Sequence, residues 1–168
     1  MRIPVSEVPF RVTPARPSLH VVPDTVDAAL QDHPEDWTSV KGVTIGGDHV
    51  DRVAVGPNGV FVVVVDPAPG RLTPDGVLRD GDRVKEPVKR ALRAAHELRR
   101  RIGVPGVFAY PVLLCAPGIE PGYLGRLRVV GADRFADALW CHPGRSLRRS
   151  ERAAVLDVLD GMTAPGVL

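Results

Sequence analysis

The stretch VDRVAVGPNGVFVVVVDPAPG, residues 50–70, decides how this chain folds. Residues 49–55 alternate polar and apolar side chains, the pattern of a strand with one face toward a core. Gly56-Pro57-Asn58-Gly59 supplies a turn, and Asn58-Gly59 suits the positive backbone dihedrals of a tight hairpin. Residues 61–65 follow as an almost unbroken β-branched run, the mark of a strand buried on both faces. The two strands are expected to pair antiparallel. Pairing of this kind brings Asp51, near the head of the first strand, toward Asp66 at the foot of the second. A slip of one residue would change the face that each carboxylate takes.

Two carboxylates so placed suggest a divalent-metal site, which needs oxygen ligands, a positioned water and nearby positive charge to act on a phosphodiester. Against this, strand-end carboxylates commonly cap turns or face water, and Val62 and Val64, on the face of Asp66, offer no oxygen.

Outward from the hairpin, residues 37–45 read as a first strand, followed by a Gly46-Gly47 turn. Before it, Asp24 is placed to cap a short helix with Val26, Ala29 and Leu30 on one face, bounded by Pro34. Residues 1–23 carry Pro4, Pro9, Pro14, Pro17 and Pro23, which exclude a regular helix and indicate an arm. On the other side, a Pro/Gly-rich excursion over residues 67–81 leads to Asp82, the expected cap of the longest helix, residues 83–102. Val84, Val88, Ala91, Leu92, Ala95, Leu98 and Ile102 form its buried stripe, with Lys85, Lys89, Arg93 and Arg100 on another side. Gly103 and Pro105 stop it before a strand at residues 107–114, and this return from helix to strand favours an α/β layer architecture. Residues 115–125 read as a loop, 127–130 as a short strand and 134–140 as a brief helix. Ser150 is the expected cap of a last helix ending near residue 159, with Ala153, Leu156 and Leu159 on its apolar side. The domain reading is an arm, residues 1–23, and a single domain, residues 24–168.

The chain has 168 residues, enough for one sizeable core at 44% hydrophobic content. Its longest apolar runs, such as residues 60–65, are too short to cross a bilayer, and its start has no run of signal-peptide type. A soluble cytoplasmic protein with no membrane partner is the expectation, with Cys115 and Cys141 free. The net charge is +2. Arginine clusters at residues 99–101 and 145–152 could meet phosphate, although a solvated face explains them as well.

At the hairpin the chain resembles the nuclease-related domain family, a branch of the restriction-endonuclease-like PD-(D/E)xK fold. That family shows an Ile-Asp-His opening, a Val-Gly-Pro-Asn-Gly turn and a Phe-Val-Ile strand running into a Glu/Asp-x-Lys pair. Here the opening is Val50-Asp51-Arg52, the turn Val55-Gly56-Pro57-Asn58-Gly59 and the strand Phe61-Val62-Val63. The family's Asn-Pro-x-x-Gln-Ala helix start corresponds to Glu86-Pro87-Val88-Lys89-Arg90-Ala91, and its strand into cysteine to Pro111-Val112-Leu113-Leu114-Cys115. The resemblance implies a mixed β-sheet core flanked by helices. It carries the first metal aspartate onto Asp51. The second carboxylate becomes Val64, the lysine becomes Asp66 and the helix glutamine becomes Arg90, so Asp51, Val64, Asp66 and Arg90 outline a vestigial site. An ion pair between Arg90 and Asp66 is the expected content of that pocket.

Other chemistries have less support. His49, His96 and His142 are scattered without a cysteine pair, which disfavours zinc, and Cys141-His142 lacks a third orienting group. No Gly/Pro segment has the Gly-Lys-Ser/Thr ending of a nucleoside-triphosphate cradle. Trp37, Phe61, Tyr110, Tyr123 and Trp140 follow no period that would build a stacking platform. The expected function is a catalytically degenerate module for binding or assembly, with no cofactor. DNA or RNA would meet Lys85, Lys89, Arg93 and Arg100. One alternative is a divergent Mg-dependent nuclease, its metal at Asp51 and Asp66, with groups recruited from the long helix such as Glu86, Lys85 or Lys89. The other is a homo-oligomeric or regulatory protein-interaction subunit without DNA affinity.

Overall fold

The computed structural model describes residues 26–28, 30, 36–66, 71–72, 78–80, 83–119 and 121–163. The proline-rich arm, Asp24, Pro34 and Asp82 lie outside the described residues. Six strands form a mixed sheet in the order β1(Thr38–Ile45), β2(Asp48–Gly56), β3(Gly59–Val65), β7(Ala109–Cys115), β9(Leu127–Gly131) and β8(Gly122–Leu124). β1, β2 and β3 are antiparallel neighbours, whereas β3 pairs parallel with β7, and β7 with β9. The long helix, Glu86–Ile102, lies in the crossover between β3 and β7. The α/β mixed sheet flanked by helices is therefore present as expected.

Period-two geometry explains the continuous apolar run of β3. Val60, Val62 and Val64 join a cluster with Val88, Ala91, Leu98, Val155 and Leu159, from the long helix and the C-terminal helix, Arg149–Asp160. Phe61 and Val63 enter a second cluster with Val26, Leu30, Trp37, Phe135 and Leu139 on the opposite face. Each side chain of β3 thus finds a helical layer, and residues 60–64 are fully buried.

Several local expectations are corrected. β2 is buried continuously from Arg52 to Gly56, because Val53 and Val55 enter the first apolar cluster and Ala54 the second, so this half of the strand has no solvated side. Asn58 does not take a positive φ. Its amide instead donates to the carbonyls of Leu139 and Trp140, tying the hairpin tip to the short helix Phe135–Trp140. Gly56 is required by packing, since a Cβ there would stand 2.3 Å from a ring carbon of Trp37. The excursion after β3 contains a second, three-stranded sheet, β4(Arg71–Leu72), β5(Leu78–Asp80) and β6(Arg83–Val84). Val84 therefore belongs to a strand and precedes the helix. The helix opens after Lys85, with Pro87 in its first turn, where a missing donor costs least. Leu92, expected in the buried stripe, is 38% exposed. Arg148, not Ser150, precedes the last helix, whose buried residues are Val155 and Leu159. β8 occupies part of the segment read as a loop.

Candidate functional site

The hairpin register places Arg52 opposite Val63, so Asp51 falls beside Val64. Strict alternation lapses at this point: Val50 and Val53 both enter the cluster beneath the long helix, and Gly42 on β1 takes φ 59°. Only glycine adopts that conformation without cost. Within this interruption the Asp51 Oδ2 accepts the backbone N–H of Val65 at 2.9 Å. The carboxylate therefore continues the ladder where backbone pairing ends, a role that its strand-end position allowed from the start. Arg52, 5% exposed, donates to Asp27 at 3.2 Å, and Lys41 pairs with the same carboxylate at 2.9 Å.

Val64 is wholly buried. One step beyond β3, the Asp66 N–H donates to the Leu114 carbonyl at 2.9 Å, and its carboxylate is 4% exposed as a residue. Its cation is Lys85, whose Nζ stands 2.9 Å from Oδ2. Lys85 holds an extended backbone, φ −61° and ψ 144°, immediately before the helix, and this sends its long stem back to the foot of β3. The expected Arg90 pairing is thus replaced by Lys85. Arg90 sits in the first turns of the helix, where its charge helps to hold the Asp48 carboxyl below its usual range, behind the larger effect of the Arg93 hydrogen bond. The Arg90 Nε is buried and has no hydrogen-bond partner. A helix starting at residue 83 would put Lys85 on an exposed side with Lys89 and Arg93; the extended backbone at Lys85 before the helix turns it to the pocket instead.

The remaining basic candidates are mostly engaged. Arg93 grips Asp48 through two bonds of 2.7 and 3.0 Å and reaches Glu86 at 2.6 Å. Arg100 pairs with Glu97, which Arg100 and then Arg101 hold down to about 2. Lys89 is exposed. Glu86, proposed as a recruited acid, is thereby drawn to Arg93 on the helix surface. Among the described residues, no three His, Cys, Asp or Glu side chains gather so as to hold a metal ion.

Cys115 ends β7 beside this pocket, 1% exposed. Burial pushes its thiol up to about 12, with the Asp66 charge adding to the effect and Lys85 opposing it. Cys141 is exposed and likewise free. At about pH 8 the native protein is expected to give one thiol to a maleimide, Cys141, and the second only after denaturation. Equally fast labelling of both in the native state would contradict the burial of Cys115.

No helix among the described residues is long and apolar enough to cross a membrane. No curated protein and no solved structure matches the chain. The family model described as the nuclease-related domain matches residues 24–116, which is more than half of the 168 and spans the hairpin, the long helix and β7. The chain therefore belongs to the nuclease-related domain family.

Proposed function

We propose that this is a catalytically degenerate nuclease-related domain that works as a cytoplasmic binding module and does not turn over phosphodiesters. The observation that carries the reading is Val64, fully buried beneath the long helix at the position where the family resemblance calls for a carboxylate. The two acids nearby do not fit magnesium. One Asp51 oxygen serves a backbone amide, and the negative charge of Asp66 is balanced by an ammonium at 2.9 Å. A hard dication is held by several oxygen donors, and here a backbone amide and an ammonium compete for the two nearest carboxylates. The two free thiols suit a reducing compartment.

A second reading has one specific observation in its favour. The Lys85–Asp66 pair returns a lysine and a carboxylate to the end of β3 from a different chain segment. The divergent Mg-dependent nuclease would use this rearranged pair with Asp51. The two readings separate in a cleavage assay on single- and double-stranded DNA with magnesium or manganese, wild type beside Asp51→Ala. The expected result is no cleavage above background by either protein. Metal-dependent cleavage that disappears in Asp51→Ala, where loss of one preorganised group commonly costs about 10²-fold or more in rate, would overturn the degenerate reading. In the same samples, self-association insensitive to salt and without DNA affinity would favour a protein-interaction subunit.

A further inference from the structure

At the opposite end of β3 and β7 from Asp66, the beginnings of these strands open onto a cleft of about 520 Å³. It is bounded by the C-terminal half of the long helix, the β8–β9 hairpin and the His142-Pro143 turn. Its size falls within the range of small-ligand sites. Two features of its lining bear on a ligand.

The first is uncancelled positive charge. Among the described residues, Arg99, Arg126 and Arg128 line the cleft and no carboxylate does. Among the described residues none of the three is ion-paired, whereas Arg93, Arg100, Arg101 and Arg145 all are. The three come from separate elements, so they converge only in the fold. Arg128 is held in place by the Ala138 carbonyl at 2.8 Å and lies 5.3 Å from the Tyr123 ring centroid. Arg99 lies 4.3 Å from that of Phe108. The guanidinium planes of Arg99 and Arg128, fixed in this way, are suited to phosphate oxygens, and with exposed Arg126 the cleft carries more positive charge than a single carboxylate requires.

The second is aromatic surface. Phe108 is 40% and Tyr123 54% exposed, although large rings are usually buried. Beside Phe108, with ring centroids 6.5 Å apart, Tyr110 is fixed against His142 at 4.1 Å and Phe61 at 5.6 Å. Rings of this kind accept a planar π-system at little ordering cost, and stacking tolerates any base.

We infer that this cleft binds a nucleoside phosphate, its base on the rings of Tyr123, Phe108 or Tyr110 and its phosphate among Arg99, Arg126 and Arg128. The site is independent of whether the Asp51 end of the sheet cleaves anything. The ligand is either a free mononucleotide or the phosphorylated end of a single strand, since both present the same chemistry.

Calorimetric titration of the full chain with adenosine 5′-monophosphate, adenosine, inorganic phosphate, benzoate and a 5′-phosphorylated single-stranded oligonucleotide tests this. The monophosphate is expected to bind saturably, and adenosine, phosphate and benzoate each about tenfold or more weakly. Arg126→Ala and Tyr123→Ala, both at exposed positions, are each expected to weaken the monophosphate about tenfold while leaving the thermal unfolding midpoint unchanged. Tighter binding of the oligonucleotide than of the monophosphate identifies a strand end as the source, and the reverse order a free nucleotide. Three outcomes would overturn the assignment: no saturation by either phosphorylated probe at about 5 mM, a concentration that would detect even millimolar affinity, binding indifferent to both substitutions, or benzoate binding as well as the monophosphate.

Discussion

Replacement of Lys85 by methionine is expected to lower the unfolding free energy by about 3–5 kcal/mol, the usual consequence of breaking a buried ion pair from one side. The stem of the side chain is preserved and the ammonium 2.9 Å from Asp66 is lost, while that carboxylate stays at the foot of β3 with a side chain only 6% exposed. Attraction in this setting is not screened as it is on the surface, where Arg100–Glu97 and its like contribute little. Adding Asp66→Asn should restore much of the loss, because two neutral groups no longer require each other. Urea unfolding of the two single variants and the double variant provides the measurement. A Lys85→Met protein within about 0.5 kcal/mol of wild type would mean that the ion pair contributes nothing.

Val64→Glu restores the acid that the family resemblance calls for, and it should be comparably damaging. Val64 has no exposed surface and lies among Val50, Val62, Val88 and Ala91 in the cluster beneath the long helix. Burial of an ionised carboxylate there is expected to cost about 3–5 kcal/mol at neutral pH. The sign of its pH dependence follows from desolvation, which raises the folded-state pKa of the new glutamate above the unfolded value of about 4.3. The folded protein then retains a proton that the unfolded chain releases. The penalty is small below about pH 4 and grows as pH rises toward the folded pKa. Thermal melts across this range, with and without magnesium, follow the effect. Full recovery of stability on adding magnesium would show that the pocket still accommodates a carboxylate-bound ion, and would remove the support that packing lends to the degenerate reading.

Both predictions concern a pocket whose outline was legible in the residues of one hairpin. A β-branched run, a Gly-Pro-Asn-Gly turn and two flanking aspartates sufficed for the antiparallel pairing and for the proximity of Asp51 to the end of β3. Residues 83–102 carried enough helical period to announce the crossover helix, though its start shifted when Arg83 and Val84 joined a small sheet. The two-residue strands and β8 escaped notice because so few residues express no period.

What the amino-acid order determined by itself was therefore the α/β layering, the hairpin and the absence of an acid at position 64, since alternation, turn chemistry and residue identity are properties of neighbouring residues. The tertiary structure alone decided that Lys85, not Arg90, meets Asp66, that Asp51 serves the Val65 amide, and that Phe61, Tyr110 and Tyr123 gather beside three arginines from separate elements. Those contacts join segments far apart in the chain. They depend on where a helix begins, how a strand twists at Gly42 and which side chains the parallel strands bring to one edge, and no local pattern encodes these distances.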